Sequence, residues 1–417
     1  MNKMVIETAV RESGTDPIFR VAGAAAERTK EIGKDAITNS TIGALMDDNG
    51  DLVAFKSVFN VFRDLDDAEI SNYAGITGIP EFTTAIIDAC FKSKRPKGHL
   101  RAIATPGGTG AIRNTMVNYT EMGDKILVAD WFWNPYDTIA KENHRSIQNF
   151  KLFNDNGSFN MTSYKEEFLN LFNTQGRVLS ILNSPAHNPT GYSISDDEWK
   201  TLVDFYTELA LANPEKRIII LCDVAYVDFA GVGDSARNFM KILSEMPENI
   251  LPLYAYSASK GFTMYGLRNG ALICVAPTEE IAEEFEASGS FSNRGTWSNG
   301  TRGAMKALAN IMSDAQLLET FEEEQKLYRE ILQKRAKLFV DNANAIGLNM
   351  CKYTDGFFIS IPCEDPVGVS NLLMEKDFYI VALAKGLRFA PCAVTEEKSA
   401  AAPQIILDAI NEFNNRG

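Results

Sequence analysis

Six short apolar runs punctuate the first two-thirds of the chain: Leu100–Ala104, Ile126–Ala129, Val178–Leu182, Ile218–Cys222, Leu253–Tyr256 and Ala271–Val275. Their apolarity is continuous rather than alternating, which predicts strands covered on both faces, as in a mostly parallel sheet. Helical patterns such as Asp196–Ala212 lie between them, giving the strand–helix rhythm of an α/β fold. From about Thr301 the pattern changes. Ala304–Asn344 is charge-rich with repeated acid–base pairs four residues apart, predicting one or two long helices that lead into a smaller lobe. That lobe has strand candidates at Gly356–Ile361 and Phe378–Val381 and a closing helix at Ala402–Asn414. The first 45 or so residues show no long sheet pattern and are expected to pack on the smaller lobe. A chain of 417 residues exceeds one ordinary domain. The expected division is a large domain over 55–305 and a smaller α+β domain from 1–54 and 306–417.

Charge narrows the partners. With 55 acidic against 41 basic side chains the net charge is −14, which repels nucleic-acid phosphates and anionic membranes. An anionic substrate would have to be drawn in by local arginines. The six cysteines show no CxxC and no repeated spacing, so neither a disulfide framework nor a metal site is expected. The opening residues lack the apolar core of a signal peptide, and no run approaches the roughly 18 apolar residues of a membrane span. A cytoplasmic protein is expected.

Four motifs each follow a strand candidate. Thr105–Gly110 (TPGGTG) precedes a helical pattern; its glycines would let backbone N–H groups approach an anion at a helix N-terminus, although a plain tight turn fits equally. No Lys-Ser/Thr follows, so it is not a nucleotide P-loop. Asn183–Gly191 (NSPAHNPTG) reads either as a proline-broken turn or as a loop that points the Asn188 amide into a site at the strand's end. Asp223, with Tyr226 three residues on, either caps a turn or sets a carboxylate beside a heteroaromatic nitrogen, keeping that nitrogen protonated. In Ser257–Arg268 (SASKGFTMYGLR), Lys260 is flanked by a hydroxyl and a guanidinium suited to phosphate. An amine near such cations and partly desolvated becomes a nucleophile at neutral pH. Strand ends that share one sheet edge would bring the four together.

This set, in this order, resembles the fold type I pyridoxal 5′-phosphate (PLP)-dependent aminotransferases of class I, in the aspartate and aromatic amino-acid branch. The likeness runs from about Ser71 to Arg388. It implies that Lys260 holds the cofactor as a Schiff base and serves as general base and acid, that Asp223 pairs with the pyridinium nitrogen, and that Tyr226 and Asn188 bond the phenolic oxygen. Gly108, Thr109, Ser257 and Arg268 would hold the phosphate, and Trp133 would stack on the ring. Tyr73, in Asn72–Phe82, is similar to the tyrosine that reaches the neighbouring subunit's phosphate, which implies a homodimer with shared sites. Arg388 looks like the clamp for the substrate α-carboxylate, and Asn188 is also expected to touch the substrate. Arg294 is similar to an arginine that crosses the interface to a distal carboxylate. A segment around Ile42–Leu45 is implied to cover the substrate. There are departures: Gly300–Arg302 replaces a Pro-Pro pair, and Tyr136 stands where aspartate enzymes carry a histidine near the pyridinium-binding acid. They extend the expected substrates to aromatic amino acids as well as aspartate, with a 2-oxo acid such as 2-oxoglutarate as acceptor.

The same site could run a PLP-dependent lyase reaction, β-elimination, or serve a non-catalytic sensor fused to a DNA-binding module. Two carboxylate clamps, Arg388 and Arg294, favour the transaminase. The sensor would need an N-terminal DNA-binding pattern that is not seen, and the net charge is wrong for DNA.

Overall fold

The computed structural model describes residues 4–10 and 17–416. Its main sheet has seven strands: β1 (His99–Pro106), β2 (Lys125–Ala129), β3 (Ser146–Phe150), β4 (Arg177–Asn183), β5 (Arg217–Asp223), β6 (Ile250–Ser257) and β7 (Asn269–Ala276). They are ordered β1-β7-β6-β5-β4-β2-β3 across the sheet. β7 runs antiparallel to both neighbours and every other pair is parallel. The connection from β6 to β7, residues 258–268, is too short for a crossover helix, so the chain must turn back on itself.

Both faces of the sheet are covered, which is why the strands read as unbroken apolar runs. Ile126, Val128, Leu179, Ile181, Ile219 and Leu221 pack in one cluster. The alternate residues Leu127, Val178, Leu182, Ile218, Ile220 and Cys222 pack in the other. Strand β3 was not predicted: as a polar, half-buried strand at the sheet edge it lacks the apolar signal.

The charge-rich stretch forms two helices, Arg302–Ser313 and Ala315–Ile346. The break falls at Asp314, whose carboxylate accepts from the Gln316 and Leu317 N–H groups and so starts the second helix. Beyond it, Val381–Leu383, Gly386–Phe389 and Ile359–Pro362 make a three-stranded antiparallel sheet. The expected strand Gly356–Ile361 is thus shifted. The expected strand Phe378–Val381 is divided: Phe378–Tyr379 instead pairs in parallel with Thr38–Asn39. The closing helix begins earlier than expected, at Glu396, behind Thr395, whose hydroxyl accepts from the Lys398 N–H. Val21, Ala25 and Ile37 pack with Tyr379.

Candidate active site

Strand register explains why distant motifs meet. Asn183 pairs with Asp223, Asp223 with Ala255, and both Ser257 and Thr105 with Gly270. Because β7 is reversed, Arg268 arrives just before it at the same edge where β1, β4, β5 and β6 end. Open α/β sheets bind ligands at that edge. A cavity of about 260 Å³ lies there, and Gly108, Thr109, Trp133, Asn188, Asp223, Tyr226, Ser257, Lys260 and Arg268 all line it.

One corner suits an anion. The helix Gly107–Tyr119 follows β1 without a loop, so the glycines form its first turn rather than a turn before it. The first N–H groups of a helix have no partner within it and carry the positive end of its dipole. Gly107 has φ +67°, and a Cβ there would come within 2.6 Å of Arg268 Nη2, so only glycine lets the guanidinium lie this close. Arg268 Nη1 donates to Ser259 Oγ at 3.0 Å and to the Tyr265 carbonyl at 2.8 Å.

The acid lies opposite. Asp223 is buried, and its Oδ2 accepts from the Tyr136 hydroxyl at 2.5 Å while Oδ1 accepts from the Ala225 N–H at 3.2 Å. Burial pushes its pKa up, and these two donors push it back down. Asn183 Nδ2 donates to the Asp223 carbonyl at 2.9 Å, and Asn183 Oδ1 accepts from the Asn188 N–H at 2.6 Å. That bridge fixes the Asn188 loop against β5. Asn188 Nδ2 donates to the Tyr226 oxygen at 3.4 Å, and burial raises the pKa of Tyr226.

Lys260 stands in the short helix Ala258–Gly261, capped by Ser257 Oγ, which accepts from the Ser259 N–H. Its Nζ donates to the Gly43 carbonyl at 2.5 Å and lies 4.9 to 5.7 Å from the ring centres of Tyr265, Tyr226 and Phe357. Burial brings the amine's pKa down to about 8, with the Arg388 and Arg268 charges adding to the fall and Cys392 opposing it. Burial, rather than neighbouring cations, is the larger cause.

Arg388 is 4% exposed on the strand Gly386–Phe389. Its guanidinium stacks 4.2 Å from the Phe358 ring centre and donates to the Thr41 carbonyl at 2.9 Å and to Asn188 Oδ1 at 3.5 Å. Arg388 does not itself line the cavity, and two further expected site residues, Tyr73 and Arg294, lie outside it on the surface. Tyr73 is 83% exposed, and Arg294, also exposed, donates to Ser298 Oγ at 2.6 Å. Asn183, Ser259, Tyr265 and the Gly43 carbonyl belong to the site and were not singled out from the sequence. Ser259 and Tyr265 lie inside the lysine motif and could have been found there; Gly43 offers only a backbone atom and leaves no side-chain signal.

A buried acid, a desolvated amine and an anion corner on one cavity define an enzyme site of the kind that seats a phosphorylated aromatic cofactor. The chain belongs to the class I and II aminotransferase family, whose model matches residues 36–406. It is 27% identical to the aspartate aminotransferase of Escherichia coli over 371 residues, 84% of this chain and 87% of that one. It is 26% identical to the aromatic-amino-acid aminotransferase of Pseudomonas aeruginosa over 226 residues, 54% and 53% of the two chains. Among solved structures it is similar to an aminotransferase from Anaerococcus prevotii, with 37% identity, a TM-score of 0.96, and 98% and 100% of the chains covered. The fold is shared with an aromatic-amino-acid aminotransferase from Burkholderia pseudomallei covalently bound to pyridoxal phosphate, at 19% identity and a TM-score of 0.78 over 98% and 100%.

Proposed function

We propose that this chain is a PLP-dependent aminotransferase that moves an amino group between an L-amino acid, aspartate or aromatic, and a 2-oxo acid such as 2-oxoglutarate. The observation that carries this is one cavity with the Lys260 amine and the Asp223 carboxylate on its walls and an anion corner beside them. The donor set fits the cofactor: the helix N-terminus at Gly108 and Thr109, Ser257 and Arg268 suit a phosphate, Trp133 offers a ring face, and Asp223 suits a protonated ring nitrogen. Bound there, the cofactor supplies an aldehyde to take the amino group and an electron-poor ring to draw charge from the substrate α-carbon.

The chain's own residues do the rest. Lys260 would hold the cofactor covalently and, as a free amine, would serve as the base that takes the α-proton and returns it; a pKa lowered to about 8 suits both directions. Asp223 keeps the ring nitrogen charged, and Tyr226 with Asn188 bonds the phenolic oxygen. Arg388 clamps the α-carboxylate, which orients the Cα–H bond. The segment around Ile42–Leu45 would cover the substrate in this reading; the Thr41 carbonyl accepts from Arg388 and the Gly43 carbonyl from Lys260.

A homodimer belongs to this reading. Tyr73 and Ile76 are exposed, as are Phe291 and Arg294, and Asn293 Nδ2 ties the two segments together by donating to the Ile76 carbonyl at 2.8 Å. A second copy on this face would receive Tyr73 at its phosphate corner and Arg294 toward a distal carboxylate. The large domain over 55–305 carries the cofactor in this reading, and the smaller one supplies Arg388. The cytoplasm is the proposed compartment: all six cysteines are free thiols, as a reducing environment keeps them.

The test is chemical trapping. Borohydride reduction of the cofactor-loaded enzyme, followed by peptide mapping, is expected to leave a stable adduct on Lys260. An adduct elsewhere, or none, overturns the reading.

A further inference from the structure

The least expected member of the site is Tyr136. It lies in the second position of the helix Pro135–Glu142, its ring is fully buried, and its hydroxyl donates to Asp223 Oδ2 at 2.5 Å. Three residues earlier the same turn presents Trp133 to the cavity, and the two rings meet edge to face at 5.6 Å and 89°. One turn of chain therefore holds both a cavity wall and the carboxylate opposite it. The other Asp223 oxygen accepts from the Ala225 N–H, so each oxygen is held by one donor, and Tyr136 is the one that lies behind the cavity wall.

We propose that Tyr136 is a positioning residue that keeps Asp223 ionised and aims it at the cofactor's ring nitrogen. This rests on the aminotransferase reading and adds to it a residue that acts only through Asp223. A buried carboxylate is costly unless donors compensate it, and Tyr136 supplies one of the two donors present. A phenol does this without a charge of its own. The titratable groups that face Tyr136 are Asp223 and Tyr226 and, across a void of about 20 Å³ that Tyr136 also lines, His187 and Tyr192, whose hydroxyl pKa burial likewise pushes up. Burial holds His187 neutral, with its pKa down at about 3, and pushes the Tyr136 hydroxyl well above its ordinary value. The donor on Asp223 is thus the same neutral hydroxyl across the whole working pH range, where a histidine in that place would titrate.

The test compares Tyr136→Phe with Tyr164→Phe. Tyr164 is an equally buried tyrosine with its hydroxyl bonded to Ser180 and Tyr206, away from the cavity, and it controls for the loss of any buried hydroxyl. In Tyr136→Phe, kcat is expected to fall about 10- to 100-fold with KM changed less than about threefold, from the loss of one bond to a charged acceptor. The NMR shift of the ring nitrogen in isotope-labelled bound cofactor is expected to move toward that of the neutral ring. Tyr164→Phe should move neither. A wild-type nitrogen shift and wild-type kcat in Tyr136→Phe overturn the proposal, as does an equal effect of both variants. Borohydride trapping on Lys260 in Tyr136→Phe is read in parallel: an adduct there with an unmoved nitrogen shift sinks this inference alone, whereas no adduct even in the wild type sinks the parent reading.

Discussion

Lys260 Nζ donates to the carbonyl of Gly43 at 2.5 Å, joining the nucleophile to a backbone atom 217 residues earlier in the chain. The contact shows what the amine does before it reacts. Held by a carbonyl and ringed by Tyr226, Tyr265 and Phe357, it has a polar partner and aromatic faces and, among the described residues, no ion pair with a carboxylate. Desolvation then prevails and the pKa falls from 10.5 to about 8.

The sign of the resulting pH dependence is fixed. Below about pH 8 the amine is protonated and cannot attack; above it the free base is available. The rate at which the apoprotein takes up PLP, followed by absorbance in a stopped-flow instrument, is expected to rise with a midpoint near pH 8 rather than near 10.5. The unfolded chain holds this proton between pH 8 and 10.5 while the folded chain has released it, so the lysine's penalty on folding is full below pH 8 and is relieved through that window. A midpoint near 10.5 would show the amine to be solvated. Lys260→Ala should give no uptake transient of this kind and no turnover.

Asp223→Ala is expected to lower kcat by at least about 100-fold, since the ring nitrogen would lose its charged partner. Asp223→Asn, of similar size, should be nearly as poor, because an amide restores hydrogen bonding without charge. Steady-state kinetics on both variants check this, and a mild effect in either would assign the acid to structure alone.

Much of this was legible in the sequence because it rests on strand ends. Asp223, Lys260 and Arg268 each follow or precede a buried apolar run, and register in a sheet carries strand ends to one edge. The reversal of β7 was not legible, because a continuous apolar run says nothing of direction. Arg388 came only from family likeness: its strand is four residues long, too short to show a period. Tyr136 was placed near the acid by family likeness alone, because its bond to Asp223 links β5 with a helix 87 residues earlier and no local pattern shows it. Tyr73 and Arg294, proposed to serve a neighbouring subunit, look like ordinary surface in one chain.

Arg388→Lys should raise KM for every amino donor at least about 10-fold, because lysine offers a point charge where the guanidinium fork makes two parallel bonds. Arg294→Ala should instead separate substrates: aspartate and glutamate lose at least about 10-fold in kcat/KM while phenylalanine and tyrosine lose less than about threefold. A panel of donors against 2-oxoglutarate measures both. Equal losses across the panel in Arg294→Ala would remove that residue from substrate choice.

Whether Arg294 acts in its own subunit or its neighbour's can be decided by mixing. In one chain it bonds Ser298 and does not line the cavity, and Tyr73 is 83% exposed. If each serves the partner, a Lys260→Ala subunit has an empty site of its own but still lends a sound Arg294. An Arg294→Asp subunit has a sound lysine but lends a repulsive acid. Neither homodimer should transaminate aspartate well. After the two are unfolded and refolded together, half of the dimers in a random mixture should be mixed, and each mixed dimer holds one site with an intact lysine and an intact partner arginine. Aspartate activity is expected to recover to about a quarter of the wild type's, in line with that statistical fraction. Activity no greater than the sum of the two separate variants would place Arg294 within its own subunit, and the shared site would fall with it.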